Sequence, residues 1–173
     1  MWAHSKKTKR NGFTIVELLI VIVVIAVLAA ITIVAYNNIQ DRARFASMQT
    51  DLKSITTALE LYKAENGSYP NTIGQSGCTA NWCGWDQSTG DNFITGLSPK
   101  YISKIPQLPA PYPNNNSYLY QSNGTDYALI RYNGVNAPAA GLTAVEYNSP
   151  LSIKTDGYDG LAWGYRTFTG AWW

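Results

Sequence analysis

Between Lys9 and Ala35 the chain reads KRNGFTIVELLIVIVVIAVLAAITIVA. From Phe13 onward this run is apolar apart from Glu17 and two threonines, and it contains no Gly or Pro. A run of this length is about what an α-helix needs to cross a hydrocarbon core of roughly 30 Å. We therefore expect residues 13–35 to form a membrane-spanning helix.

The residues before this helix carry the excess positive charge of the chain. Lys6, Lys7, Lys9 and Arg10 have no acidic neighbour in the first 12 residues, and without them 9 basic residues face 11 acidic ones. The positive-inside bias predicts a cytoplasmic leader and an extracytoplasmic C-terminal part. The rest of the chain has no Lys/Arg block that could follow a phosphate backbone, so we expect no dedicated nucleic-acid site.

The helical pattern continues beyond the apolar run. Residues 36–66 contain no Gly or Pro, and apolar side chains recur every three or four residues, which predicts an amphipathic second half of the same helix. Asn66-Gly67 predicts its end. We expect this stripe to pack on a sheet, with a coiled-coil partner as the lesser alternative. The stripe consists of Phe45, Met48, Leu52, Ile55, Leu59 and Tyr62.

The remaining residues, 67–173, predict a small antiparallel sheet. Residues 118–120 and 127–132 flank the turn sequence Asn123-Gly124 and indicate a hairpin. The runs 142–147, 151–154 and 161–169 also resemble strands, and a short helical turn fits around 100–103. The predicted fold class is α+β: one long N-terminal helix packed on about four strands, with no second globular domain.

Two cysteines, Cys78 and Cys83, are separated by four residues. A zinc site would need two further ligands, yet the only histidine is His4 in the leader. The spacing therefore favours a short disulfide loop in an oxidising compartment. We expect no metal and no cofactor.

Catalysis is not expected either, because the body of the chain lacks the commonest general base. Asp156 and Asp159 could form a carboxylate pair or part of a calcium loop, but the twelve-residue calcium-loop pattern is absent, and a turn capped by Asp side chains is favoured. The aromatic residues, including Trp172 and Trp173, favour core and strand packing; an adhesive aromatic surface is the alternative.

Residues 9–18 resemble the processing signal of type IV prepilins and pseudopilins: a basic leader, Gly, Phe, and Glu at the fifth position of an apolar helix. Residues 28–31, 35–36, 65–70 and 101–106 extend the likeness. The resemblance implies a type IV pilin-like fold, cleavage between Gly12 and Phe13 by a membrane prepilin peptidase, and methylation of the new N-terminus at Phe13. It also implies that the subunit leaves the membrane lipid on an inner-membrane assembly platform. There it joins a helical filament of its own copies and other pilins.

Glu17 is a lone carboxylate inside an apolar helix, which is costly unless it is paired. Cleavage would create an amine at Phe13, one helical turn away. When subunits stack with an axial offset, the amine of a neighbouring Phe13 can reach Glu17 and set the register. One departure from the family pattern is Val34, which stands where many pilins have a helix-bending Pro.

Two other interpretations of the N-terminus are weaker. A secretory signal peptide would have a shorter apolar run, and a plain single-pass anchor would leave Glu17 without a role. We therefore expect a subunit of a type IV pilus-like filament for attachment, motility or DNA uptake. The alternatives are a pseudopilin of a type II-like secretion system and a membrane-anchored surface-binding protein that does not polymerise.

Overall fold

The computed structural model describes residues 12–85, 93–108, 116–134, 141–153 and 160–168. The chain divides into two compact units, Met1–Gln40 and Asp41–Trp173. The elements, in chain order, are α1 (Ile15–Asn66), β1 (Asn116–Ser122), β2 (Tyr127–Asn133), α2 (Ala144–Tyr147) and β3 (Ala162–Arg166). This order of one long helix followed by a small sheet confirms the predicted α+β, pilin-like fold class.

Helix α1 has 52 residues and runs through both units, as the absence of Gly and Pro predicts. It ends where the sequence predicts. Gly67 has φ +78°, and its N–H donates to the Lys63 carbonyl at 2.8 Å. A glycine in this left-handed conformation is the usual way to satisfy the last carbonyls of a helix.

The apolar stripe on the second half of α1 is buried, which confirms the predicted amphipathic helix. Met48, Leu52, Ile55 and Leu59 are each at most 3 % exposed, and the flanking aromatic residues of the stripe are partly buried. They pack in one core with side chains of the sheet, which include Tyr118, Tyr120, Tyr127, Leu129 and Trp163.

The sheet among the described residues has three antiparallel strands in the order β1-β2-β3. The predicted hairpin is confirmed: Ser122 pairs with Tyr127 across the turn. The Asn123 side-chain oxygen accepts from the N–H groups of Thr125 and Asp126 at 2.9 and 2.8 Å, which replaces the missing backbone partners in the turn.

The other predicted strands had different outcomes. Residues 162–166 form β3, inside the predicted run 161–169. The prediction for 142–147 was wrong, because Thr143 and Glu146 form a capping box that starts the short helix α2. At 151–154, Ser152 makes a single bridge to Trp163. The bridge consists of the Ile153 and Gly164 N–H groups, which donate to the Ala162 and Leu151 carbonyls at 3.0 Å. Lys154 lies outside the described residues.

The helical turn predicted near residues 100–103 lies slightly earlier in the chain. The Tyr101 N–H donates to the Leu97 carbonyl at 3.0 Å, and residues 95–101 form turns. The turn buries Leu97 against the helix-side core.

A second core covers the other face of the sheet. It includes Trp82, which is 4 % exposed and lies in the segment that carries the cysteines. The side chains that surround it are Leu119, Ala128, Ile130, Ile153 and Ala162. The sheet is therefore buried on both faces, by α1 on one and by Trp82 together with Ile153 on the other.

Candidate functional site

The residues proposed for cleavage lie directly before helix α1. Gly12 is exposed, and a Cβ added to it would meet nothing within 4 Å. Phe13 is 86 % exposed. The peptide bond between these two residues is therefore open to solvent among the described residues.

Thr14 and Glu17 form a capping box at the start of α1. The Thr14 N–H and the Thr14 hydroxyl both donate to Glu17 Oε2 at 2.8 Å, and the Glu17 N–H donates back to Thr14 Oγ1 at 3.2 Å. This box satisfies two donors that a helix N-terminus leaves without partners. Thr14 is not among the site residues predicted from the sequence, although the T-x-x-E spacing is a recognised signal for such a cap.

The first part of α1 is long and apolar enough to cross a membrane. Residues 15–32 have a mean hydropathy of 3.1, and none of this window is buried within the protein. Within the unit Met1–Gln40, each large apolar side chain from Ile15 to Ile31 is at least 50 % exposed. Such a surface needs an apolar environment outside the chain, whether lipid or other helices.

Glu17 is the only charged residue between Phe13 and Gln40. Both hydrogen bonds that described residues make to its carboxylate end on Oε2. Thr14 therefore lowers the cost of keeping this carboxylate at the start of an apolar helix, through contacts within the chain itself.

The two cysteines are bonded to each other, which confirms the predicted disulfide. Their Cα atoms lie 4.3 Å apart. Cys83 is buried and Cys78 is half-buried. The disulfide belongs to the unit Asp41–Trp173 and is not part of the N-terminal segment.

A buried polar cluster in the unit Asp41–Trp173 was not predicted. Glu146 is 1 % exposed; its Oε1 lies 3.1 Å from Arg131 Nε and accepts from the Trp163 ring N–H at 3.0 Å. Its Oε2 accepts from the N–H and hydroxyl of Thr143 at 2.8 and 2.9 Å. These contacts give both oxygens of the buried carboxylate hydrogen-bond partners, as buried polar groups require.

Two further carboxylates of α1 bind tyrosines. Asp51 accepts from the Tyr118 hydroxyl at 2.9 Å; burial raises the pKa of Asp51, and this hydrogen bond offsets part of the rise. Glu60 accepts from the Tyr69 hydroxyl at 2.9 Å, and burial together with this contact raises the pKa of Tyr69. These contacts fix loop and sheet to the helix.

A surface network joins the end of α1 to the turn that follows residue 94. Glu65 accepts from Lys100 and, at 2.8 Å, from the Tyr101 hydroxyl. These hydrogen bonds lower the pKa of the Glu65 carboxyl. Both charged side chains of the pair are more than half exposed, so the contact contributes little to stability.

No group of His, Cys, Asp and Glu within the described ranges could hold a metal ion. Asp156 and Asp159, considered above as a carboxylate pair, lie outside the described residues, as do Trp172 and Trp173.

An exposed apolar N-terminal helix whose second half packs on a small antiparallel sheet defines the pilin class of protein. Comparison with known families agrees with it. Residues 7–33 match the prokaryotic N-terminal methylation motif, and residues 35–137 match the type II secretion system protein G family. The chain therefore belongs to this family, and it is a pilin or pseudopilin by class.

Individual relatives include both kinds of filament subunit. The chain is 33 % identical over 121 residues to type II secretion system core protein G of Pseudomonas aeruginosa, which covers 69 % of this chain and 79 % of that protein. It is 29 % identical to the Vibrio cholerae core protein G, over 69 % and 76 % of the two chains. It is 30 % identical to the type IV major pilin protein PilA of Myxococcus xanthus, over 69 % of this chain and 56 % of that protein. No solved structure matches the chain.

Proposed function

We propose that this chain is the precursor of a filament subunit that is cut between Gly12 and Phe13, methylated at Phe13 and polymerised through helix α1. The observation that carries the proposal is an exposed, membrane-length apolar helix with a single carboxylate held at its first turn. The match of residues 7–33 to a methylation motif supports the modification. A membrane prepilin peptidase and an inner-membrane assembly platform are the partners that this route requires.

Glu17 is the residue that would set the register of assembly. Its Oε2 is occupied by Thr14, so the amine of a neighbouring Phe13 would bind the other carboxylate oxygen or displace the Thr14 hydroxyl. Either contact adds the positive charge of a neighbouring subunit to a carboxylate that has no Lys or Arg in the segment 13–40. Misaligned helices would leave both charges unpaired in an apolar core, which disfavours them strongly.

The subunit would span the membrane once before assembly. The basic leader would remain in the cytoplasm by the positive-inside bias, and the unit Asp41–Trp173 would lie outside. The disulfide between Cys78 and Cys83 supports an oxidising surrounding for this unit.

Two kinds of filament fit the subunit. We place the secretion pseudopilus first, because the protein G family match extends over the body of the chain, residues 35–137. A type IV pilus is the second candidate, because the match to a major pilin covers 69 % of the chain. Deleting the gene separates them: loss of exported proteins from the medium indicates a pseudopilus, whereas loss of surface filaments with secretion intact indicates a pilus.

Mass spectrometry of the N-terminus of purified filaments tests the processing step. The mature subunit should begin with methylated Phe13. Gly12→Val should block cleavage, because a β-branched side chain crowds the scissile peptide bond. Asn11→Val is the matched control, with the same side chain one residue earlier, and it should still be cleaved. A subunit that retains Lys9 and Arg10, or that begins near Tyr36, would contradict the proposal.

A further inference from the structure

The cysteines close the base of a two-residue hairpin, which we call the cysteine hairpin (residues 78–83). Thr79 and Trp82 exchange both backbone hydrogen bonds at 2.9 Å. Cys78 and Cys83 are the next pair outward, with Cα atoms 4.3 Å apart. This is about the 4.5 Å separation of a non-hydrogen-bonded antiparallel pair. The disulfide therefore joins the two hairpin strands at their open end, where they would separate first if the bond were absent.

The cysteine hairpin covers the outer edge of strand β1. The Cys83 N–H donates to the Tyr120 carbonyl at 2.9 Å, and the Tyr120 N–H donates back to the Cys83 carbonyl at 3.0 Å. The backbone of Gly84 lies directly against β1, because a Cβ on Gly84 would be 2.3 Å from the Tyr118 carbonyl oxygen. An uncovered edge of this kind would present free N–H and C=O groups to other strands.

The same hairpin places Trp82 over the outer face of the sheet. Trp82 is 4 % exposed, and it packs with Leu119 and Ile130 in the second core. None of the described side chains of helix α1 belongs to that core. The second core therefore takes Trp82 from the hairpin, whereas the buried set of the helix-side core includes no hairpin residue.

The turn of the hairpin opposes the local preference of its residues. Ala80 has φ +49° and Asn81 has φ +63°, so both central residues are left-handed. Such a turn suits Asn and Gly, whereas the Cβ of an alanine disfavours this conformation. Ala80 thus makes the closed hairpin dependent on ties elsewhere, and the disulfide is the covalent one.

We propose that the Cys78–Cys83 disulfide is a redox-sensitive strap on the sheet. When it is reduced, the cysteine hairpin opens, uncovering the edge of β1 and the apolar pocket of Trp82, while the core between α1 and the sheet persists. The closed form would then be favoured only after the unit has reached an oxidising exterior. This part of the inference rests on the membrane topology proposed above.

The reduction is an ordinary thiol–disulfide exchange with a dithiol. One thiolate attacks Sγ of Cys78, the more exposed of the two residues, and forms a mixed disulfide with it. Cys83 leaves as a thiolate and takes up a proton. The second thiol of the reductant then displaces Cys78 and is itself oxidised to a disulfide, so that two cysteine thiols remain.

Hydrogen exchange on the full-length chain in detergent micelles tests the strap, with and without dithiothreitol. Reduction should accelerate exchange of the Tyr120 and Cys83 amides by about tenfold or more, as expected for local opening. The amides of residues 52–59 in α1 should change by less than about twofold. Intact mass after alkylation verifies that both thiols are free.

Two variants test the opening of the hairpin without changing either cysteine. Gly84→Ala should accelerate exchange at Tyr120 in the oxidised protein, because its Cβ forces the hairpin off β1. Ala80→Gly should slow exchange at Tyr120 in the reduced protein, because it removes the penalty of the left-handed turn.

The proposal is wrong if reduction leaves the exchange rate of the Tyr120 amide unchanged. It is equally wrong if the amides of residues 52–59 accelerate as much as Tyr120, since the disulfide would then be a general stabiliser. Neither readout involves cleavage or polymerisation, so failure here leaves the proposed filament function intact.

Discussion

Two helices in the described part of the chain begin with the same capping box, Thr-x-x-Glu, but the two boxes have different surroundings. Thr14-Ile15-Val16-Glu17 and Thr143-Ala144-Val145-Glu146 each begin a helix, and in each the glutamate accepts from the N–H and hydroxyl of its threonine. Glu146 also has a cation within the fold, Arg131, whereas the sequence around Glu17 has no Lys or Arg between residues 13 and 40. The local cap is therefore common to both, and the second partner decides what each glutamate does.

Removing the carboxylate of Glu17 should separate membrane insertion from assembly. Glu17→Leu should insert at least as well as the parent, because it removes the one charge from the apolar helix. The yield of sheared filaments should fall by about tenfold or more, since losing a contact of roughly 1.4 kcal/mol already has that effect. Both quantities are measured on the same cells, as filament yield and as membrane-associated subunit.

Glu17→Gln is the matched variant for charge, because it keeps the size and part of the hydrogen bonding of Glu17. Its defect should be milder than that of Glu17→Leu, or equal if the charge alone is decisive. Normal assembly by Glu17→Leu would exclude the pairing mechanism and would leave Glu17 a role in recognition by the peptidase. Disappearance of the subunit from the membrane would show instead that Glu17 is needed for insertion.

Glu146→Gln should destabilise the unit Asp41–Trp173 by about 3–5 kcal/mol, because it removes one charged partner from a buried ion pair with Arg131. Guanidinium titration of the full-length chain in micelles, followed by near-UV circular dichroism, measures the change. Glu65→Gln is the control, since its contact with Lys100 is exposed and its loss should barely move the midpoint. Equal midpoints for Glu146→Gln and the parent would mean that the ion pair contributes nothing.

At the scale of elements, sequence patterns predicted what a single period encodes. The 3-4 spacing from Phe45 to Tyr62 predicted the buried stripe of α1, and Asn123-Gly124 predicted the β1–β2 hairpin. Residues 142–147 were predicted as a strand from their strand-like pattern, whereas Thr143 and Glu146 alone suffice for the capping box that starts a helix there. The pairing of Arg131 with Glu146 joins residues far apart in the chain, so no local pattern could predict it.

The contact between α1 and β1 through Asp51 and Tyr118 should give stability a measurable pH dependence. Burial raises the pKa of Asp51 above its unfolded value of about 3.9. The folded state therefore binds this proton first, and stability should rise as pH falls through the folded pKa, with the gain complete below the unfolded one.

Urea midpoints of the parent and Asp51→Asn at about pH 7 and pH 4 measure this contribution as a difference between the two proteins. Asp51→Asn should lack the increase in stability that Asp51 contributes when the pH is lowered. Asp41→Asn, which removes a carboxylate from the same helix, is the control and should follow the parent. A parent that loses as much stability as Asp51→Asn at the lower pH would contradict the raised pKa.

At the scale of the whole molecule, charge is arranged around one apolar segment. Four cations precede it, Glu17 lies near its start, and Asp41 is the next charge after it. The scarcity of charge in the span allows it to lie in lipid, and the cations on one side would give it direction. This asymmetry can be changed without altering any residue of the unit Asp41–Trp173.

Reversing the leader charge should therefore reverse or scramble the orientation of the precursor. In the variant K6E/K7E/K9E/R10E, a large share of molecules should expose the N-terminus outside, because orientation follows cations close to the ends of a span. Protease added to spheroplasts measures this: the unit Asp41–Trp173 is digested when it lies outside and protected when it lies inside. The matched control K53E/K63E/K100E/K104E also replaces four cationic residues by Glu, but farther from the span. It should keep the parental orientation. If the leader variant stays fully sensitive to protease, the leader does not orient the chain, and its cations would serve recognition by the peptidase instead.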